Sequence, residues 1–201
     1  FIMIVEPLHR VRTVDVSTEP VTVSEAKAHL RVNHSDDDSY ISDLITASRQ
    51  SAEISVGRVL GDSATYLVSY ASFPVYRDFL KIPYPPLLSV SHLKYYDLSD
   101  TLQTVPANQY VVNSDVTDSA LIGFKDNFSR PVLSRERKAP VQLTFTAGYN
   151  SAVVPKPIKQ AILLLVSHYY DIREPILTTG TILKVPRSVD FIFSQYKVRS
   201  V

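Results

Sequence analysis

The chain has 201 residues, of which 45% are hydrophobic, and its formal net charge at pH 7 is +1. This composition suits one globular domain, or a domain with a sizeable insert, and it excludes a disordered protein, which needs low hydrophobicity and high net charge. The near-neutral charge gives no global footprint for nucleic-acid binding. The absence of cysteine excludes disulfides, iron–sulfur clusters and cysteine-ligated zinc.

The N-terminal region predicts an extended segment followed by a short helix. Residues 1–18 contain several β-branched side chains, so we expect a peripheral strand or arm there. Thr22 followed three residues later by Glu25 matches a capping box, in which each residue satisfies a backbone N–H of the other. The first helix is therefore expected to begin at Thr22 and to end near Asn33.

A second helix is expected to follow at once. Ser35 or Asp36 can cap its first turn, and the acidic run 36–38 lies where the helix dipole favours negative charge. Gly57 is the expected left-handed residue after its last turn. The apolar side of this helix repeats at helical spacing through Ile41, Leu44, Ile45, Ser48 and Ala52.

Residues 63–148 change to a β pattern of short segments rich in β-branched and aromatic residues, separated by proline, aspartate, asparagine and glycine. The predicted strands lie at 66–70, 79–82, 90–96, 110–112 and 141–145. Helical periodicity then returns, with an apolar helix over 158–172 and a last short helix that opens at Pro186.

This order of elements predicts an α+β fold. We expect a helical bundle of about four helices, two N-terminal and two C-terminal, interrupted by an antiparallel β-rich insert. The corresponding division is an extended N-terminal arm at 1–18, a helical core at 19–62 and 149–201, and the insert at 63–148.

The sequence contains no motif of a metal site, a cofactor site or a catalytic site. The five histidines lie far apart, without a metal-binding spacing, and the run 36–38 lacks the glycine and the terminal glutamate of an EF-hand loop. No nucleophile elbow or phosphate-binding glycine loop is present. We therefore expect no cofactor, no metal and no enzymatic activity.

Two further features concern partners. The longest apolar run, 161–166, is far shorter than the roughly 18 residues of a membrane span, so no membrane partner is expected. Arg130, Arg135, Arg137 and Lys138 form a locally basic cluster. This cluster is either solvated surface or a patch that faces an acidic protein or passing DNA.

Four blocks of sequence, in this order, resemble the head–tail connector proteins of tailed bacteriophages, also called adaptor or head-completion proteins. The first two blocks are residues 19–32 (EPVTVSEAKAHLRV) and the acidic run 36–38, which continues through Tyr40, Ile41, Leu44 and Ile45 to Gly57 and Arg58. The other two are 145–149 (FTAGY) with 154–174, and the closing helix with Pro186, Val189 and Tyr196.

The resemblance implies a structural subunit of the phage neck, located in the virion and made in the cytoplasm of a bacterial host. Such a subunit forms an adaptor ring, commonly of twelve copies, that docks beneath the portal and extends the DNA channel. The implied partners are further copies of the chain, the portal protein, and a stopper or tail-completion protein. Genomic DNA passes through the lumen without sequence-specific binding.

The resemblance implies no catalytic residue, so the candidate sites are surfaces. The expected portal interface comprises Pro186, Arg187, Phe191, Phe193, Tyr196, Lys197 and Arg199. The expected ring contacts between subunits are Asp37, Tyr40, Ile41, Arg49, Tyr169 and Arg173.

Two other classes of function stay open at this point. The β-rich region fits a β-sandwich module that binds carbohydrate or a receptor, with some of the twelve tyrosines as stacking surfaces. A hydrolase is the third hypothesis, because two carboxylates that are distant in sequence can lie close together in the folded chain.

Overall fold

The computed structural model describes residues 3–75, 78–114, 119–149, 154–172 and 187–198. The chain divides into two compact units, and each unit is built from two separate stretches of sequence. Phe1–Ser17 and Ser63–Asn150 form the first, here called the sheet unit. Thr18–Asp62 and Ser151–Val201 form the second, here called the helical unit.

Two β-sheets make up the described part of the sheet unit. The five-stranded sheet has the order β2-β3-β9-β5-β6 and is antiparallel throughout. The four-stranded sheet has the order β1-β4-β8-β7, and its β1–β4 pair is parallel. The strands are β1 (Ile4–Val5), β2 (His9–Val14), β3 (Ala64–Tyr70), β4 (Phe79–Ile82), β5 (Leu87–Tyr96), β6 (Leu102–Val105), β7 (Tyr110–Asn113), β8 (Ala120–Phe124) and β9 (Val141–Ala147).

The centre of the five-stranded sheet is β9, which pairs with β3 on one side and with β5 on the other. Its side chains alternate strictly between buried and half-buried, as a strand with one face on a core requires. Phe145 is fully buried on this strand, and its ring stacks on Tyr66 of β3 at a centroid distance of 5.5 Å. The sequence predicted this strand at 141–145 from its β-branched and aromatic residues.

The two sheets are joined through Tyr70 at the end of β3. Its hydroxyl donates a hydrogen bond of 2.7 Å to the carbonyl oxygen of Lys81 on β4. Burial raises the pKa of this phenol well above its ordinary value, so it stays a neutral donor. Leu80 and Ile122 contribute the buried face of the four-stranded sheet.

The helical unit contains four described helices, α1 (Val23–Leu30), α2 (Asp38–Val56), α3 (Lys156–Asp171) and α4 (Arg187–Tyr196). The predicted capping box of α1 is confirmed, because the Glu25 N–H donates to the Thr22 hydroxyl and the Thr22 N–H donates to the Glu25 carboxylate. The bond from the Thr22 backbone lowers the pKa of Glu25. The predicted end at Asn33 is wrong, since α1 ends at Leu30 and Arg31 adopts the left-handed conformation.

The long helix α2 confirms one predicted boundary and corrects the other. Gly57 terminates it with a φ of 71°, the left-handed conformation that glycine adopts without strain. At the other end the N-cap is Asp37, which makes no side-chain capping bond. Its carboxylate instead accepts a hydrogen bond from the Tyr170 hydroxyl of α3. Asp37 of the acidic run therefore contributes to the packing of α2 against α3.

The predicted fold class, a helical bundle interrupted by an antiparallel β-rich insert, is wrong. Strands dominate the core, and the chain is a mixed α+β fold with two sheets. The N-terminal stretch, expected as a peripheral strand or arm, supplies β1 to one sheet and β2 to the other. The parallel pair of β1 and β4 also departs from the expected antiparallel arrangement. These pairings join residues more than 50 positions apart, so local patterns did not indicate them.

Candidate functional site

The last described helix, α4, presents an outward surface within the helical unit. Val189 and Phe193 are buried one turn apart, and α4 contacts α2 and α3. Arg187, Phe191 and Ser194 share the opposite side, because positions three and four apart lie on one helix face. The Phe191 side chain is 65% exposed there, a large apolar surface for a solvated helix.

The C-terminal end of α4 is fixed to the end of α2 by two hydrogen bonds. Arg58 Nε donates to the carbonyl oxygen of Tyr196 at 2.7 Å, and the Val198 N–H donates to the carbonyl oxygen of Val56 at 2.8 Å. The first bond satisfies a carbonyl of the last helical turn, which has no partner within the helix. The outward surface of α4 is therefore held on a rigid element.

The residues predicted for the portal interface divide into four groups. Arg187, Phe191 and Lys197 are exposed, and Tyr196 is half-buried. Phe193 is buried in its own chain. Pro186 and Arg199 lie outside the described residues.

The residues predicted for ring contacts are similarly divided. Asp37, Tyr40 and Tyr169 are partly exposed. Ile41 and Arg49 are buried within their own helical unit, so they have no free surface for a neighbour. Arg173 lies outside the described residues.

Arg49 instead forms the centre of a buried ion-pair network. Its guanidinium donates to Glu53 on the next helical turn at 2.9 Å and to Glu19 at 2.7 Å. Glu53 also accepts the backbone N–H of Leu60, and Glu19 accepts the Thr46 hydroxyl. The network fixes α2 to the segments that precede and follow it. The spacing of Arg49 and Glu53, four residues apart, was a signal that could have found it.

An exposed stripe on α2 was missed by the sequence reasoning. Asp43, Ala47, Gln50 and Ile54 recur at helical spacing, and all four are exposed. Ile54 is 85% exposed, the most exposed large apolar side chain among the described residues. Its position out of phase with the buried stripe could have revealed it.

The basic cluster of the sheet unit is partly occupied by internal contacts. Arg137 makes a two-pronged ion pair with Asp100, at 2.6 and 2.8 Å, and its guanidinium lies 3.6 Å above the Tyr96 ring. This hydrogen bonding lowers the pKa of Asp100. Arg130 donates to the carbonyl oxygen of Pro74. The cluster is therefore a weaker anion-binding surface than its sequence indicates.

The described part of the sheet unit contains a small cavity. A cavity of about 230 Å³ lies in the sheet unit beside Tyr95, Gln109 and Phe128. Ligand pockets usually measure about 300–1,000 Å³, so this one is small. Within the described ranges, no group of three or more histidine or carboxylate side chains is placed to hold a metal ion. No helix there is long and apolar enough to cross a membrane.

Chains of similar fold occur in gene transfer agent particles. One similar structure is the neck of an empty gene transfer agent (GTA) particle computed with C6 symmetry, with 19% identity and a TM-score of 0.76. Two more are the virion of a native GTA particle and the neck of a native GTA particle computed with C12 symmetry, each with 18% identity and with TM-scores of 0.77 and 0.75. Each likeness covers 96% of this chain and 97% of the matched chain.

The sequence itself matches one family. Residues 20–82 match the phage gp6-like head-tail connector proteins. The predicted resemblance to head–tail connector proteins is thereby confirmed over this segment. Among curated proteins, no sequence matches this chain.

Proposed function

We propose that this chain is a structural subunit of the neck of a tailed phage or a phage-derived particle, and that it is not an enzyme. The observation that carries the proposal is the likeness to the GTA chains, which extends over nearly the whole length of both proteins. The connector-family match over residues 20–82 supports it independently, because it rests on sequence. The proposed location is accordingly the neck of the particle.

The proposed assembly is a closed ring. The matched necks were computed with C6 and C12 symmetry, and a ring of twelve copies agrees with both. Each subunit of a ring needs two different complementary surfaces, because the contact is head-to-tail. Asp37, Tyr40 and Tyr169 stay candidates for such contacts, since they are partly exposed on neighbouring helices of the helical unit.

The outward surface of α4 is the proposed contact with the portal. Phe191 is exposed there, and Arg187 and Lys197 add positive charge near it. Aromatic and arginine side chains are the residue types that most often dominate the binding energy of protein interfaces. The two hydrogen bonds at the end of α4 hold this surface in place, which lowers the entropy lost on binding. A stopper or tail-completion protein would bind elsewhere on the ring.

The proposed relation to DNA is passage without sequence-specific binding. Tight phosphate contacts would hold the DNA in the channel, and each would release counterions and strengthen binding. The chain has a net charge of only +1, and Arg130 and Arg137 are engaged within the sheet unit. These features support a channel wall that interacts weakly with the duplex.

If the outward surface of α4 contacts the portal, a substitution on that surface should weaken binding to the portal protein. Replacing Phe191 with glutamate should weaken binding to the portal protein of the same genome by about 30-fold, since a central aromatic contact is worth about 2 kcal/mol. Biolayer interferometry on immobilised portal measures this change. Circular dichroism should show an intact fold, because Phe191 is mostly exposed.

The matched control is Ile54→Glu, which places the same charge at an even more exposed apolar position of the helical unit. This variant should bind portal like the unmodified chain. Portal binding that survives Phe191→Glu unchanged would rule out the outward surface of α4 as the contact.

A further inference from the structure

The five-stranded sheet exposes two edges that lie on opposite sides of it. In the order β2-β3-β9-β5-β6, β2 forms one edge and β6 the other. An edge strand leaves a row of backbone groups without a partner in the sheet, and proteins usually cover or protect such rows. Among the described strands, none pairs with the outer side of β2 or of β6.

The β2 edge carries apolar side chains that the chain does not cover. Val11 and Val14 are 53% and 58% exposed, and Leu8 just before the strand is similarly exposed. Valine and leucine at these positions would normally be half-buried in a sheet. A register shift between Arg12 and Val14 leaves the four residues from His9 to Arg12 in regular pairing with β3. The β2 edge is thus short and regular, and its uncovered valines alternate with arginines.

The β6 edge is likewise short and carries uncovered apolar side chains. It consists of four residues, of which Leu102, Gln103 and Thr104 are exposed. Leu102 is 41% exposed, and Leu98 in the preceding turn is more exposed still. The two edges therefore match in length and in the presence of uncovered apolar side chains.

Charges at the two edges are largely neutralised within each edge. Arg12 on β2 pairs with Asp15 at 2.7 Å. Near β6, Asp100 is paired with Arg137. Exposed ion pairs of this kind contribute little to binding, but they leave no net repulsion between the edges. Apolar contact and backbone hydrogen bonding between the two edges can then determine whether they bind each other.

We propose that the β2 edge of one copy packs against the β6 edge of the next copy, so that the five-stranded sheets continue from subunit to subunit. This inference rests on the proposed ring. Two different edges on opposite sides of one sheet provide the head-to-tail contact that a ring needs. The four-stranded sheet is a poorer source of such a contact, because its β1 edge is only two residues long.

Cross-linking tests the contact without interference, since the chain contains no cysteine. Val11→Cys and Leu102→Cys are made separately and together, and a short bismaleimide links thiols that lie close. Adjacent strands place opposite Cα atoms about 4.5–5.5 Å apart, so the reagent also tolerates a shifted register. Native mass spectrometry first checks that the unmodified chain forms a ring on the portal. The variants are then assembled on the portal and treated with the bismaleimide.

The expected result is that a mixture of the two single variants forms covalent dimers at least tenfold faster than either variant alone. The double variant should give a ladder of products that ends at the ring size. In the control mixture, Val111→Cys replaces Leu102→Cys and places the thiol on the β7 edge of the other sheet, where no cross-link is expected.

The remaining outcomes each contradict the proposal in a distinguishable way. Val11→Cys that links to itself as fast as to Leu102→Cys would indicate a symmetric contact. Rings that form but never cross-link would show that the edges face elsewhere, while the neck role stands. Absence of rings on the portal would overturn both the contact and the proposed ring.

Discussion

Replacing Arg49 with methionine is expected to lower the free energy of unfolding of the helical unit by about 3–5 kcal/mol. The guanidinium is 1% exposed and pairs with Glu53, whose carboxylate is also buried. Methionine fills a similar volume but leaves the negative charge of Glu53 without this partner. A buried charge has lost its hydration, and removing this ion pair takes away part of what offsets that loss. Hydrogen exchange of the α2 amides measures the change.

Two comparisons identify the cause of the loss. Gln50→Met, at the exposed neighbouring position, should change stability by about 0.5 kcal/mol or less. The double variant Arg49→Met, Glu53→Met should recover part of the loss, because it also removes the buried carboxylate that lost its Arg49 partner. A single Arg49→Met variant within about 1 kcal/mol of the unmodified chain would mean that the network is not a major support of the helical unit.

Replacing Phe145 with alanine is expected to destabilise the sheet unit by about 3–5 kcal/mol. The ring is fully buried on the central strand β9 and stacks on Tyr66. Removing it loses both apolar burial and the contacts around the cavity that remains. Hydrogen exchange of the β3 and β9 amides reports this loss within the sheet unit.

Thr144→Ala is the matched control, because the preceding residue points to the opposite face of the same strand and is half-buried. Its expected cost is below about 1 kcal/mol, the span of strand propensities. Equal destabilisation by both changes would contradict the assignment of Phe145 to the core of the sheet unit.

Local features of this chain were predictable because their causes lie within a few residues. The capping box of Thr22 and Glu25 and the left-handed Gly57 are set by side-chain reach and backbone sterics, and both are confirmed. The alternation in β9 likewise follows from one strand having one buried face. The end of α1 was placed too late, since a left-handed Arg31 has no sequence signal comparable to glycine.

Pairing between strands was not predictable in the same way. The parallel pair of β1 and β4 and the antiparallel pair of β2 and β3 join distant segments, and only the folded core selects them. β2 has no buried residue, so its sequence lacks the alternation of an ordinary strand. The N-terminal stretch therefore looked like a separate arm, and the fold class was wrong as a result.

The burial of two candidate contacts was predictable from local spacing. Ile41 belongs to the apolar stripe of α2, and Arg49 lies eight residues later on the same side, so helical spacing already pointed both inward. Their choice as ring contacts followed the resemblance rather than this spacing. The exposure of Ile54 could likewise have been inferred from its position out of phase with that stripe, and Phe191 was already among the predicted portal contacts.

The proposed neck role is tested most directly by a cryo-electron-microscopy map of particles assembled from the genome that encodes this chain. The expected map contains twelve copies of the α+β fold in a ring between the portal and the remaining neck proteins, as the C12 symmetry of the similar neck suggests. A complete neck in which another protein occupies that position, with this chain absent from the particle, would contradict the proposal.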